Sequence, residues 1–136
     1  MDDASNAVLA KSKRFALRTI KAYRHFSDEK REFVLSRQML RSGISIGANV
    51  REAQRCQSER DFAAKLYIAL KEADETAYWL ELLHESGYMN DNEYNSIYGD
   101  CEEIVRLLVS ITKTVQRQSS PKGTGVLAEI PSFPNS

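Results

Sequence analysis

The sequence predicts an all-α protein, an up-down-up-down antiparallel four-helix bundle, and three observations carry that prediction. Four stretches place apolar residues at three- and four-residue spacing, the period of one buried helix face. No stretch of any weight alternates apolar and polar residues as a half-buried strand would. The breaks between the four stretches are about two to five residues long, which leaves antiparallel neighbours as the common solution. The expected domain covers residues 1–118, with helices at about 8–26, 29–56, 58–86 and 90–118, and residues 119–136 are expected to form a flexible tail.

The first helix is indicated from Val8 to Phe26, with Phe15, Thr19, Ala22 and Phe26 on one face. Lys11, Lys13, Arg14, Arg18, Lys21 and Arg24 cover much of the remaining circumference. A solvated or ion-paired face explains such a run, and so does a contact for nucleic acid. Lys11, Arg14, Arg18 and Lys21 are the candidates for that contact. Ser27-Asp28 reads as a break and cap before the second helix.

The second helix is the centre of the chain. Phe33, Leu40, Ile44, Gly47 and Val50 recur at helical spacing, and Gly43 and Gly47 lie four apart inside the run. Each glycine costs roughly 1 kcal/mol of helix propensity relative to alanine, so a helix that keeps both implies close approach by a neighbour. Gln38, Arg41, Asn49 and Glu52 on this helix, with Glu72 and Glu75 on the third, are expected to form a hydrogen-bonded network where the two helices cross.

Ser58, followed by Glu59 and Asp61, opens the third helix. Its stripe of Phe62, Leu66, Ala69, Ala73, Ala77 and Leu80 is broadened by a second set, Ile68, Trp79 and Leu82, offset from the first. An arc that wide exceeds what one partner helix needs, and an exposed patch of that kind is rare on soluble monomers. Ile68, Trp79 and Leu82 are therefore the expected interface of a homo-oligomer. Gly87 closes this helix at positive φ. Asn90 and Glu93 have capping-box spacing for the fourth, which carries Tyr94, Ile97, Cys101, Leu108, Ile111 and Val115. The segment from Ser119 holds all three prolines and reads as disordered.

The chain has 136 residues, 42% apolar and 28% charged, enough for one domain that buries about two-thirds of its unfolded surface. Nineteen Lys and Arg balance nineteen Asp and Glu, so no global field holds a polyanion. The balance hides a gradient. Residues 1–27 carry six basic residues against two acidic, and residues 61–87 carry two against six. Cys56 and Cys101 follow neither disulfide nor zinc spacing, which suits a reducing cytoplasm. No apolar run approaches the length of a membrane span and no signal-peptide core follows the N-terminus, so a membrane location is not expected.

Catalytic constellations are sparse. A di-metal bundle site needs two Glu-x-x-His elements, and Glu81 with His84 supplies one. The enzyme alternative would be a metal-dependent or small-molecule-converting bundle built on Glu52, Glu72, Glu75, Glu81 and His84. The run Gly43 to Gly47 lacks the Lys-Ser/Thr ending of a phosphate-binding loop. No catalytic residue and no metal or other cofactor is expected.

The segments QMLRSGISIGANVREA (38–53) and SERDFAAKLYIALKEADETAYWLELL (58–83), followed by Gly87-Tyr88, carry a resemblance. They are similar to the small four-helix-bundle proteins first described as products of intervening sequences in bacterial 23S ribosomal RNA genes, over residues 10 to 117. Its most specific marks are Ser45-Ile46, Asn49 and Glu52, then Asp61-Phe62, Ile68-Ala69, Lys71-Glu72 and Glu75 with Tyr78-Trp79-Leu80. Many relatives have a proline near Gly47 and an alanine and a glycine beside the glutamate, where this chain has Arg51 and Ala53. The resemblance implies no established activity. It also implies a ring of five subunits, as in the related accessory protein of diversity-generating retroelements, which works with a reverse transcriptase and its RNA template through a basic surface. A self-associating scaffold or binding module is the expected function, with RNA or an RNA-handling protein as the candidate partner.

Overall fold

The structure, a computed structural model, describes residues 3–119. It is all-α: α1 (Asp3–Asp28), α2 (Leu35–Ala53), α3 (Glu59–Glu85) and α4 (Asp91–Ser119). Helix α2 packs on α1 and α3, α3 packs on α4, and a thinner seam between α1 and α4 closes the bundle. The expected tail falls, from residue 120 onward, outside the described residues.

Val8, Phe15, Met39, Ile46, Leu66, Leu80, Ile104 and Leu108 fill the axis, all essentially inaccessible to water. Serines and threonines complete it where the helices run closest. A Cβ on Gly43 would sit 2.7 Å from Thr19 Cγ2, and one on Gly47 would sit 3.3 Å from the Ser12 carbonyl oxygen. The two glycines thus let α2 lie against α1 at van der Waals distance, and the apolar burial gained there offsets their low helix propensity.

Two features of α2 differ from expectation. It begins at Leu35, and residues 29–34 form a corner in which Arg31 takes φ 57°. The Glu32 carboxylate makes that corner. It accepts from the backbone N–H groups of Val34 (3.0 Å), Leu35 (2.9 Å) and Ser36 (2.7 Å), the donors that the first turn of α2 leaves without intrahelical partners. Ser36 Oγ donates to the Glu32 carbonyl at 2.8 Å, and the Glu32 N–H donates to Phe26 O at 2.9 Å. The cap is thus a glutamate three residues ahead of the helix, not Ser27-Asp28. The buried stripe is also rotated: Ser36, Met39, Ser42, Gly43, Ile46, Val50 and Ala53 face inward, while Phe33 and Ile44 lie exposed.

The other junctions follow local chemistry. Ser58 Oγ accepts the Asp61 N–H at 3.0 Å. Gly87 takes φ 93°, and Asn90 and Glu93 exchange reciprocal bonds of 2.9 and 2.8 Å. Among the described residues no helix is long and apolar enough to cross a membrane.

Candidate interaction surface

The bundle has four lateral faces. On the α2/α3 face, Arg41 donates to Gln38 Oε1 at 3.2 Å and lies 4.0 Å from Glu75. Glu72 is next to this group, and burial together with the neighbouring Glu75 charge pushes its carboxyl pKa up. Among the described residues Glu72 Oε1 is buried without a hydrogen-bond partner, as is Trp79 Nε1. Gln38, Arg41, Glu72 and Glu75 therefore cluster, but the expected network does not extend along the helix. Asn49 Nδ2 donates within its own helix to Ser45 O at 2.9 Å, and the exposed Glu52 pairs with Lys65 at 2.7 Å. Among the described residues Asn49 makes no bond across the helices, and Glu52 makes one at the surface and not in the interior.

The buried polar link between the two helices involves residues that the sequence pattern did not single out. Thr76 Oγ1 and Ser42 Oγ lie 2.7 Å apart and fully buried, with backbone carbonyls of Glu72 and Gln38 as their further partners. Small hydroxyls at core spacing, beside glycine, were the available signal. Of the expected interface residues, Ile68 is exposed on this face, while Trp79 and Leu82 are half-buried.

The α4/α1 face is an ion-paired seam. Lys11 reaches Glu103 at 3.1 Å, and Arg18 binds the Asp100 carboxylate and Ser96 Oγ. The basic first helix is thus neutralised partly by α4, not by the acidic third helix. Arg14 and Lys21 remain exposed and form no ion pair among the described residues. Of the four candidate nucleic-acid contacts, two are committed within the bundle and two are open.

The α3/α4 face carries Glu81 and His84, turned away from Glu52, Glu72 and Glu75. Glu81 accepts from Tyr98 OH at 3.1 Å. His84 Nε2 lies 2.8 Å from Asp91 Oδ1, and its ring stacks on Tyr94 at 4.2 Å. The five residues of the enzyme alternative are split between two sides of α3. Among the described residues no group of three or more His, Cys, Asp or Glu side chains is placed to hold a metal ion. Both cysteines are free, and burial pushes the Cys101 thiol up to about 12.

The fourth face, between α1 and α2, is an open groove of about 550 Å³ lined by Leu9, Lys13, Ala16, Ile44, Gly47, Ala48 and Arg51. Sequence reasoning missed it because it assigned Ile44 and Gly47 to the core.

The family model described as 23S rRNA-intervening sequence protein matches residues 4–110. A crystal structure from Bacteroides thetaiotaomicron VPI-5482, of a protein with unknown function from the S23 ribosomal protein family, is similar at 53% identity and a TM-score of 0.80. The match covers 81% of this chain and 98% of that one. No curated protein matches. With the same fold, that identity and a family match running from the first turn of α1 to the last third of α4, the chain belongs to the 23S rRNA-intervening sequence protein family.

Proposed function

We propose that the protein works as a self-assembling helical scaffold, without chemistry of its own, that presents a composite surface to a partner. The observation that carries this reading is the apolar surface left outside a finished core. Leu17, Val34, Ile44, Ile68 and Tyr78 are each more than 40% exposed on a bundle whose axis is already filled. Covering them against further copies removes the cost of keeping them wet.

A ring of five copies is the form we propose for the assembly, in line with what the resemblance to the intervening-sequence family implies. RNA, or a protein that handles RNA, is the proposed partner, with Arg14 and Lys21 as its open cationic contacts. The two free cysteines fit a reducing cytoplasm as the place of action.

Light scattering coupled to gel filtration tests the scaffold. A mass near five times the 15.5 kDa chain is expected, and a monomer at tens of micromolar would refute the reading. Retention on immobilised RNA that falls steeply with added salt is expected of the partner, because phosphate contacts release counterions. Arg14→Glu with Lys21→Glu should abolish that retention while the helical circular-dichroism signal is unchanged. Unchanged retention would remove this face from consideration.

A further inference from the structure

The helix order places the α1/α2 groove and the α3/α4 face on opposite sides of the bundle. The two are chemically complementary. The groove is lined by apolar and small side chains with Lys13 and Arg51 at its margin and no carboxylate. Seven-residue spacing adds Arg37 to the stripe of Ile44 and Arg51, and sets the exposed Ile20 beside Lys13. Among the described residues Lys13, Arg37 and Arg51 form no ion pair.

The opposite face has a shallow depression of about 150 Å³ lined by Asp74, Ala77, Tyr98, Glu102, Val105 and Arg106. Asp74 has neither a hydrogen bond nor an ion pair among the described residues, and burial pushes its carboxyl pKa up. Glu102 also lacks an ion pair among the described residues, and Glu81, which accepts only from Tyr98 OH there, follows Asp74 by seven residues on the same stripe. Arg106 is the single cation there. One side of the chain thus offers cations without ion pairs around an apolar groove, and the other offers carboxylates without ion pairs around a shallow depression floored by Ala77 and Val105.

We infer that the α1/α2 groove of one copy receives the α3/α4 face of the next, so that the chains join head to tail. This rests on the self-assembly reading above and assigns its joint. Groove against groove would set Lys13, Arg37 and Arg51 against their own copies, and pairing two α3/α4 faces would do the same for Asp74, Glu81 and Glu102. Like charges across an interface suppress both two-fold pairings. The heterologous pairing satisfies both sets, and a heterologous joint that closes makes a ring with no unpaired end.

The test uses two doubly substituted full-length chains. Ile44→Asp with Arg51→Glu spoils the groove, and Asp74→Lys with Glu102→Arg spoils the opposite face. Far-UV circular dichroism confirms that each is helical. Each alone should run as a 15.5 kDa monomer in light scattering. Mixed in equal amounts, they should associate to at least a heterodimer of twice that mass, because each retains one intact half of the joint and the two reversed halves are themselves opposite in charge. Three outcomes overturn the inference. If the wild type assembles and the acidic-face variant still assembles like it, the joint lies elsewhere while self-assembly stands. If two crippled chains fail to pair in an otherwise assembling protein, the joint is not head to tail. If the wild type is monomeric and the groove variant alone loses RNA retention, the groove belongs to a polyanion.

Discussion

Replacing Glu32 by alanine removes the acceptor for three backbone N–H groups at the start of α2. Each such bond contributes about 0.5–1.5 kcal/mol net, so the three sum to roughly 1.5–4.5 kcal/mol. Water reaches the exposed Val34 end of the turn and recovers part of the loss, which puts the expected cost at about 2–3 kcal/mol. That is at or just above the top of the roughly 0.5–2 kcal/mol range for ordinary N-caps. For a domain of this size 1 kcal/mol shifts Tm by roughly 3–6 °C, so Glu32→Ala should melt roughly 6–18 °C lower. Burial alone would raise the Glu32 pKa, but the amide bonds from Leu35, Ser36 and Val34 outweigh it and hold the pKa below its ordinary 4.5. The unfolded chain therefore binds the proton more readily, and stability from this group rises with pH. Its contribution is complete above pH 4.5 and is lost as pH falls through the lower folded value. The deficit of Glu32→Ala should thus be full at pH 7 and should narrow at about pH 3, measured by thermal circular dichroism at one fixed chain concentration. A variant melting within about 2 °C of wild type at pH 7 would refute the reasoning.

The remaining predictions concern the interior and one exposed pair. Gly43→Ala should cost about 1–3 kcal/mol through overpacking against Thr19, and Thr19→Ala in the same chain should restore part of it, as chemical denaturation would show. Native protein should offer one thiol, Cys56, to an alkylating reagent, with Cys101 reacting only after denaturation; mass spectrometry counts the adducts. Glu52→Gln should lower Tm by no more than about 5 °C, because it removes only an exposed pair with Lys65.

The bundle was legible because its signals are local and repeated. Ser58, Gly87 and the Asn90–Glu93 pair each act on residues within three positions, so the sequence displays cause and effect together. The inward face of α1 was readable for a related reason, since Phe15, Thr19 and Phe26 keep helical spacing against weaker competitors. Helix α2 misled because its packing depends on distance between backbones. Where α1 comes close enough to touch Gly43, serines fit the interior better than isoleucine, and Ile44 is left outside. A large apolar residue on a helix records a preference for burial without saying whether its own bundle or another chain provides it. The Glu32 cap escaped notice because glutamate is an uncommon residue in that role and lies outside the periodic run.

The α1–α2 corner also has a consequence in time. Its bonds link His25 to Lys30, Phe26 to Glu32 and Glu32 to Ser36, and none spans more than six residues. Closing so short a segment costs little chain entropy, so the corner can form while α4 is still unattached and before any partner chain arrives. Its loss should then fall on the refolding limb of a chevron plot, with Glu32→Ala slowing refolding and leaving the unfolding rate almost unchanged. The Gly43–Thr19 contact, made between residues 24 positions apart, should show the reverse.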